Sequence, residues 1–541
     1  MIAANVAWDW RERRRTLARL RREWSEPELR DRDMTAIASY HGALAVRDPE
    51  SSIDDRTWRD LDLDDVYAVL DRTVSSIGQQ VLYHRLRSLR STSTLCAFEA
   101  LVARTAADAS LRESCQLALA RLHGAAGYEV WRLAEPGALE RRSWHVVSPV
   151  LALAMLGAAG AGMWWPAAFL VNLGLLPACI AVRVVNERRL RRVIEPLRLV
   201  GPLVAAAAAV WPIHDAATAD ITARLREDAA CLRRLRALAD WLARDSVSMD
   251  PITGAAFELL NFLLALDGNA LFFGSREIQT HAPALQRTIA AVGEVDAAIA
   301  IAAYRASSDA WTRPSFESPG APVRITELGH PLLRSGVRNS VGLAPPHGVL
   351  ITGSNMSGKS TFLRSLGVAA IMSQTINTCT ASAYACPLLR VRSCMNRSDD
   401  LVGGRSYYLD EVHGILAIVR ASRSQDAHLF LFDELFQGTN AVERIAAGEA
   451  TLAELADSTT PHVTVAATHD VELVALLTPA YTAFHFSDHV SSGELVFDYR
   501  LASGPSSTRN AISLLELNGA PASLVERARA LAERLEREQP I

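Results

Sequence analysis

The chain has 541 residues, of which 49% are apolar and 21% charged, and its formal net charge is −4. This composition supports a large buried core, spread over about two to four domains, and argues against wholesale disorder. The net charge excludes a protein that coats nucleic acid through general basicity, so any nucleic-acid surface must be local. The seven cysteines form no Cys-x-x-Cys pair, which favours a reduced cytosolic setting without a disulfide framework or structural zinc site.

The chain opens with a basic segment, residues 1–50. Its run 10–24 is rich in arginine and is spaced as a helix. Such a run is typical of a solvated helix face, and the alternative is a contact with a membrane surface or with nucleic acid. The N-terminus becomes charged too early to be a secretory signal.

Helical patterns dominate the first half of the chain. Apolar residues at helical spacing run through 51–144 and again through 184–312, which favours a core of long helices. Two packed helices are expected around Gly78. A break in the helical pattern is expected at Gly268-Asn269, since both residue types disfavour a helix interior.

Residues 145–183 differ from everything around them, because 146–182 contain no charged residue. Trp164, Trp165 and Pro166 divide this stretch into two apolar spans of roughly 17–19 residues, slightly short of the ~20 that a crossing helix needs. Both flanks are rich in arginine, which indicates that both lie on the cytoplasmic side. We expect a transmembrane-like helical hairpin with its tryptophans at the interface. The alternative is a buried hairpin in a large soluble core.

The character of the sequence changes after a linker rich in Pro, Ser and Gly at 313–322. From 321 to 541, short apolar runs alternate with helical stretches, which is typical of buried strands in an α/β nucleotide-binding domain. A charged helical tail is expected at 519–538. The runs expected to be strands are 323–326, 348–352, 429–432 and 463–467.

Lys359 is the only lysine in the chain, since every other basic position is arginine. It stands where a compact ammonium on a flexible stem is hard to replace by a planar guanidinium. The surrounding pattern G-x-x-x-x-G-K-[ST], between a strand and a helix, predicts a phosphate-binding loop. Lys359 is expected to hold the β- and γ-phosphates, and Ser360 to ligate Mg²⁺. The nucleotide-binding residues are expected to be Gly353, Ser354, Asn355, Met356, Ser357, Gly358, Lys359, Ser360 and Thr361.

Two further strands end in polar residues that suit the same site. Asp433 and Glu434 follow the apolar run 429–432, so Asp433 is expected to complete the Mg²⁺ site and Glu434 to activate the attacking water as general base. His469 follows the run 463–467 and is expected to sense the γ-phosphate. Glu434, His469 and Lys359 are therefore the expected catalytic residues.

These segments, in this order, resemble the ATPase domain of the MutS DNA mismatch-repair family, whose loop pattern is roughly T-G-P-N-M-x-G-K-S-T. The pair Asn355-Met356 separates this family from most other phosphate-loop ATPases. The resemblance is specific over 321–540 and weaker over 55–135 and 250–310. The other matching segments are Gly329-His330-Pro331, Gly404-Arg405-Ser406, Asp433-Glu434 with Gly438-Thr439-Asn440, and Thr468-His469.

The resemblance implies an α plus α/β fold, in which a long-helix core and lever domain with the hairpin precedes a P-loop ATPase domain of the ABC/MutS type. It assigns 51–144 and 184–312 to the core and lever, and ATP and Mg²⁺ as cofactors. It further implies a homodimer with composite sites, in which Ser406 of one subunit reaches the γ-phosphate held by the other. ATP binding, more than hydrolysis, would then drive the conformational change.

Several features depart from the family pattern. About 50 residues precede the core-like segment, too few for the family's mismatch-reading and connector domains. The charge-free hairpin interrupts the region that carries levers and a DNA clamp. Ser354 and Ser357 replace residues that are commonly Pro and Gly.

The expected function is that of a MutS-like ATPase of the mismatch-repair type, an ATP-dependent DNA damage sensor. It would bind DNA without base specificity and be anchored at the cytoplasmic face of the cell membrane, with its ATPase domain in the cytoplasm. The first alternative is a membrane-associated MutS-like ATPase that does not bind DNA and acts on lipid or protein partners. The second is a soluble regulatory protein in which 146–182 is core packing.

Overall fold

The chain divides into two compact units. A helical unit comprises Met1–Asp48, Leu70–Arg85 and Thr92–Ser307, and a sheet unit comprises Pro49–Val69, Leu86–Ser91 and Ser308–Ile541. The fold therefore mixes helices and sheets, as the sequence predicts. The computed structural model describes residues 2–26, 30–136, 146–233, 235–237, 254, 260, 264, 266–333, 335–344, 348–354, 356–395, 407–491, 494–506, 512, 515–516 and 519–538.

Helices account for most of the described chain before the sheets begin. The first helix covers the arginine-rich run and extends beyond it at the N-terminal end. In chain order the helices are α1 (Ile2–Ser25), α2 (Met34–Ala45), α3 (Asp55–Asp60), α4 (Leu63–Leu70), α5 (Ser76–Arg87), α6 (Thr92–Ala107), α7 (Ala109–Leu119), α8 (Val147–Ala161), α9 (Phe169–Arg198), α10 (Val200–Val210), α11 (Ala219–Thr222), α12 (Leu225–Cys231) and α13 (Leu266–Ser307). A 3₁₀ segment, Ala125–Ala134, lies between α7 and α8.

Among the described helices, α13 is the longest, with 42 residues. Its residue Asp296 is fully buried and accepts hydrogen bonds from the backbone N–H groups of Val74 and Ser75, at 3.1 and 2.9 Å. These donors lie just before α5, so the carboxylate satisfies N–H groups at that helix start. Gly78 lies inside α5, where an added Cβ would stand 2.2 Å from Asp296 Oδ2.

The two helices expected around Gly78 are present as α4 and α5, but Gly78 lies inside α5 and provides close approach to Asp296 rather than a break. The break expected at Gly268-Asn269 is wrong. Helix α13 runs straight through Gly268-Asn269. A glycine costs a helix only about 1 kcal/mol, which the packing of so long a helix outweighs.

Helices α8 and α9 are joined at the expected division around Trp164, Trp165 and Pro166. Near its base, the hairpin buries Leu151, Met155 and Cys179 in a small apolar cluster. Its tip is exposed to solvent: the accessible fractions of Trp164 and Trp165 are 83% and 79%. Other exposed apolar side chains of the hairpin are Val150, Leu153, Leu156, Met163, Phe169, Leu170, Val171 and Leu173.

Whether the hairpin crosses a membrane stays a prediction. Among the described residues, one helical stretch, Glu195–Ile213, is long and apolar enough to cross by length and composition. Because 56% of it is buried, it equally suits the core of a soluble protein. The apolar parts of the hairpin, Val147–Ala161 and Pro166–Val182, are shorter.

The sheet unit contains a six-stranded sheet of order β10-β9-β4-β8-β7-β6 and a four-stranded sheet of order β1-β5-β2-β3. In the larger sheet all neighbours are parallel except β10, which pairs antiparallel with β9. The four expected strands are confirmed as β2, β4, β7 and β8. The strands are β1 (Ser315–Phe316), β2 (Val323–Leu328), β3 (Asn339–Leu343), β4 (Gly348–Thr352), β5 (Ala383–Cys386), β6 (Arg390–Met395), β7 (His428–Asp433), β8 (Val463–Ala467), β9 (Tyr481–Ser491) and β10 (Glu494–Ser503).

The described residues after Ser308 also form five helices. Apolar side chains of the central strands, such as Leu350, Phe430 and Phe432, form a buried cluster with residues of the neighbouring helices. Within this cluster, the hydroxyl of Tyr481 donates a hydrogen bond to the carbonyl oxygen of Leu452 at 2.8 Å. The helices are α14 (Lys359–Ile376), α15 (Tyr407–Ala421), α16 (Ala441–Ala456), α17 (Glu472–Leu477) and α18 (Ala522–Glu538).

The division into units differs from the expected boundary at 51–144, because Pro49–Val69 and Leu86–Ser91 group with the sheets. The buried carboxylate of Asp60 accepts from the Ser393 hydroxyl at 2.9 Å and from the Met395 N–H at 3.0 Å. Leu61 lies so close to Gly367 that an added Cβ there would stand 2.7 Å from it. Helix α3 is therefore part of the packing around β6 and α14.

Candidate nucleotide site

The expected site residues follow three neighbouring strands of the larger sheet. Strands β4, β8 and β7 are parallel, with Ile351 opposite Ala467 and Asp433 also opposite Ala467. Parallel strands end at the same edge of a sheet, so the loops that follow them meet there. This edge carries the loop 353–358, the pair Asp433-Glu434 and the turn around His469.

The loop after β4 has a backbone that requires glycine at two positions. Gly353 and Gly358 have φ angles of +143° and +111°. A Cβ on Gly353 would stand 2.7 Å from the carbonyl oxygen of Phe486. Helix α14 begins at Lys359, directly after Gly358, so its free N–H groups face this loop. The loop therefore has the shape of an anion cradle at a helix N-terminus.

Lys359 is buried at the centre of this cradle, with 5% of its surface exposed. Its ammonium donates to the carbonyl oxygens of Gly353 and Ser354, both at 2.8 Å, and lies 3.4 Å from His469 Nε2. Burial lowers the pKa of Lys359, against the opposing charges of Glu434, Asp433 and Asp488. A buried cation at the start of a helix is suited to hold a phosphate group.

Asp433 and Ser360 carry oxygen atoms of the kind that Mg²⁺ prefers as ligands. Asp433 is buried at the end of β7, and its burial raises its pKa, while a hydrogen bond with the Ser360 side chain lowers it. Hydroxyl and carboxylate oxygens are hard ligands for a cation that usually keeps several waters and binds substrate phosphates. The chemistry of these two side chains therefore fits a nucleotide-bound Mg²⁺.

Glu434 and His469 are in direct contact, with His469 Nε2 2.6 Å from Glu434 Oε1. Burial raises the pKa of Glu434, but the hydrogen bond and charge of His469, together with Lys359 and Arg444, leave it below the ordinary value. Glu434 has a φ angle of +59°, and its N–H donates to the carbonyl of Ala467 at 2.9 Å. A partly buried, ionised carboxylate held in this way has the properties of a general base.

Two contacts at the site were missed by sequence reasoning. Asp488, buried on β9, accepts a hydrogen bond from the Ser354 hydroxyl at 2.8 Å. Arg444 binds both carboxylate oxygens of Asp470, at 2.8 and 2.6 Å. The position of Asp470 directly after His469 was a signal for the second contact, but no local pattern marks Asp488.

Parts of the expected site lie outside the described residues. These are Asn355 of the loop and Ser406, which precedes α15. The side chain of Glu411 on α15 accepts from the Phe436 N–H at 2.5 Å, which connects this helix to the loop after Asp433-Glu434. His330, from the segment ahead of the loop, is partly buried, and this burial lowers its pKa to about 4.

All seven cysteines are free. Among the described residues, no group of three or more His, Cys, Asp or Glu side chains could hold a metal ion by itself.

Comparison with known proteins finds a family similarity over the part of the chain that carries this site. The family profile described as MutS domain V matches residues 349–536, which contain the cradle, the acidic pair and His469. Over this part of its length the chain is similar to the MutS family. Curated MutS relatives align with between a third and a half of the chain.

The similarity to individual relatives is partial. The DNA mismatch repair protein MutS of Thermus thermophilus is 33% identical over 266 residues, 48% of this chain and 32% of that protein. The DNA mismatch repair protein MutS 2 of Haloarcula marismortui is 32% identical over 188 residues, 34% of this chain and 20% of that protein. The MutS of Geobacillus kaustophilus is 30% identical over 286 residues, 49% of this chain and 30% of that protein. The matched regions span about a third or less of these relatives.

Proposed function

We propose that this chain binds ATP with Mg²⁺ and hydrolyses it. The observation that carries the proposal is the convergence of Lys359, Ser360, Asp433, Glu434 and His469 on one edge of a parallel sheet, around a glycine-rich cradle. Each of these side chains suits a different part of the reaction. The MutS domain V match over the same residues supports the proposal.

The cradle binds and orients the triphosphate. N–H groups at the start of α14 face the phosphates, and the Lys359 ammonium exchanges the carbonyls of Gly353 and Ser354 for phosphate oxygens. Ser360 and Asp433 are the side chains that would hold Mg²⁺, which supplies charge neutralisation at the phosphates when bound. Burial of these groups strengthens their electrostatic effect on the phosphates.

Glu434 takes the proton of the attacking water. Its carboxylate is kept ionised by His469, which also fixes its direction through the 2.6 Å contact. His469 lies between Glu434 and Lys359, so it is positioned to respond to a γ-phosphate at the ammonium. Arg444 and Asp470 hold the turn that carries His469.

Substitution of Glu434 by Gln tests the assignment of the base. The amide keeps the size of the side chain but cannot take a proton, so kcat should fall by roughly 100-fold or more while ATP affinity is retained. The measurements are Mg²⁺-dependent phosphate release and nucleotide binding on the same preparations. Unchanged turnover would show that Glu434 is not the general base. Wild-type protein that does not bind ATP would contradict the whole proposal.

The proposal includes a homodimer with composite ATP sites. Exposed apolar side chains near the loop and at the starts of α15 and α16, namely Met356, Leu409 and Val442, support a surface that a second copy covers. In such a dimer Ser406 of one copy completes the site of the other.

A mixing experiment tests the composite site. Ser406→Ala protein and Lys359→Ala protein should each be nearly inactive alone. An equimolar mixture should regain activity, because each mixed dimer combines one intact cradle with one intact Ser406. Activity of the mixture no higher than that of the separate variants would contradict shared sites.

The ATPase is proposed to act on DNA from the cytoplasmic face of the cell membrane. The names of the relatives, DNA mismatch repair proteins, favour DNA as the partner. The hairpin favours a membrane anchor, because its described residues expose apolar side chains on α8, on the turn and on α9 without a charged residue in 146–182. DNA contacts would be to the phosphate backbone and independent of base sequence.

The second candidate function is a membrane-associated ATPase that does not bind DNA. The exposed apolar side chains at the hairpin tip favour it. The ATP-driven conformational change would then act on lipid or on a membrane partner. ATP turnover of the full chain with duplex, mismatched or branched DNA, at two salt concentrations, separates the two. Stimulation by DNA that weakens steeply with salt supports the first function. Turnover that depends on Glu434 and on added lipid but ignores DNA supports the second.

A further inference from the structure

Ser354 is held in the phosphate loop from two sides. From inside the cradle, its carbonyl oxygen accepts a hydrogen bond from Lys359 Nζ at 2.8 Å. From outside, its hydroxyl donates to Asp488 Oδ2 at 2.8 Å. Asp488 is 3% exposed, so this hydrogen bond is shielded from water and made to a charged acceptor.

The loop lies directly against β9 and β10. A Cβ on Gly353 would stand 2.7 Å from the carbonyl of Phe486 on β9, and a Cβ on Gly358 would stand 3.3 Å from the ring of Tyr499 on β10. The strand position of Asp488 is fixed by its pairing with Phe497. The carboxylate is thus a rigid acceptor beside a loop with little room to move.

We propose that Ser354 and Asp488 are a positioning pair that keeps the phosphate loop in its binding shape when Lys359 turns to the nucleotide. The inference rests on the proposed ATP function. Binding of phosphates by Lys359 removes the two hydrogen bonds that the ammonium makes to Gly353 and Ser354. The bond to Asp488 uses the hydroxyl and not the carbonyl, so it survives this exchange.

The charge of Asp488 faces the same region as the carboxylates of Asp433 and Glu434, since all three act on the pKa of Lys359. A negative charge near bound phosphates opposes their binding. The benefit of Asp488 must therefore come from its hydrogen bond to Ser354. An amide at position 488 should therefore act differently from a methyl group, because only the amide can still accept this hydrogen bond.

Four variants of the full chain test the pair. Ser354→Ala and Asp488→Ala should each raise the KM for ATP roughly tenfold or more, with kcat changed by less than about threefold, because the lost bond to a charged group acts on loop geometry. The double variant should be no worse than either single one. Asp488→Asn keeps an acceptor and removes the repulsion, so its KM should not rise.

Ser487→Ala is the matched control. Ser487 is the neighbouring residue on β9 and donates to Asp498 instead, so its loss should leave KM unchanged. Thermal unfolding of each variant checks that the unit still folds, and if Asp488→Ala does not fold, Ser354→Ala and Asp488→Asn decide the question. Unchanged KM in Ser354→Ala, or additive effects in the double variant, would overturn the pair alone. Wild-type protein that binds no ATP would overturn the proposed function with it.

Discussion

Lys359 is surrounded by groups that only a slender, compact cation can reach together. Its ammonium meets two carbonyl oxygens of its own loop, and the side chain is 5% exposed. A guanidinium is wider and planar and presents its donors in a fixed fork. The chain uses arginine at every other basic position, so the lysine here reflects the shape of the cradle rather than a need for positive charge.

Replacement of Lys359 by Arg should therefore weaken ATP binding by roughly 30-fold or more, because the buried fork cannot satisfy its donors in a space shaped for one ammonium. Equilibrium binding of ATP measures the effect. Arg420→Lys, an exposed charge-preserving change on α15, should bind ATP as the wild type does. Equal affinity of Lys359→Arg and wild type would mean that charge alone is required.

The contact between His469 and Glu434 predicts a change in pH dependence. His469 lowers the pKa of Glu434, and the proposed hydrolysis needs the ionised carboxylate, so the rate should fall as pH decreases through that pKa. Without His469 the pKa rises, and the acid limb of kcat in His469→Ala should move to higher pH. The profile is measured at saturating ATP.

His413→Ala, which removes an exposed histidine of α15, is the control and should not move the limb. An acid limb at the same pH in His469→Ala and wild type would show that His469 does not set the ionisation of the base.

Sequence patterns predict the site residues that directly follow a buried strand. Lys359, Asp433 and His469 each come after an apolar run, and the parallel order of the strands brings them together. Asp488 could not be predicted in this way, because it lies within β9 among alternating polar and apolar residues. Its role depends on which strand lies beside β4, and that is decided by tertiary pairing.

At the scale of elements, strands were easier to predict than helix boundaries. A strand buried on both faces has an uninterrupted apolar run, as in β4, β7 and β8, each buried at every position. Glycines within helices are poor predictors of helix breaks. The sequence around Gly78 and Gly268 does not distinguish a break in a helix from a close approach to a neighbouring element. Only the position of Asp296 explains Gly78.

Two glycine substitutions within helices should act in opposite directions. Gly78→Ala places a Cβ 2.2 Å from Asp296 Oδ2 and should destabilise the helical unit by about 1–3 kcal/mol. Gly42→Ala, in α2, meets nothing within 4 Å and should stabilise it by about 0.5–1 kcal/mol. Thermal unfolding followed by circular dichroism compares them. A Gly78→Ala protein as stable as wild type would mean that α5 and α13 separate without cost.

At the scale of the whole molecule, the division into units depends on contacts that are far apart in sequence. Asp60 and Ser393 are 333 residues apart, yet their hydrogen bond is one of those that group α3 with the sheets. Helical periodicity in 51–144 indicates helices but carries no information on which unit they pack against. The hairpin differs in this respect, because its lack of charged residues is visible in one continuous stretch of the sequence.

The exposure of the hairpin gives its membrane role a direct test. Leu173 lies on α9 and is 68% exposed, so a soluble hairpin accepts arginine there at little cost. In a bilayer the same change costs about 2.5–3.5 kcal/mol near the centre of a span. Leu173→Arg should therefore reduce co-flotation with vesicles of phosphatidylcholine and phosphatidylglycerol by roughly tenfold or more.

Val46→Arg is the matched control, since Val46 lies in the helical unit outside the hairpin and is 83% exposed. Its protein should float with the vesicles as the wild type does, because the added charge stays in water. Equal flotation of the two variants would mean that Leu173 does not contact lipid. Wild-type protein that stays monodisperse without detergent and does not float would support the alternative, in which 146–182 packs in the core of a soluble protein.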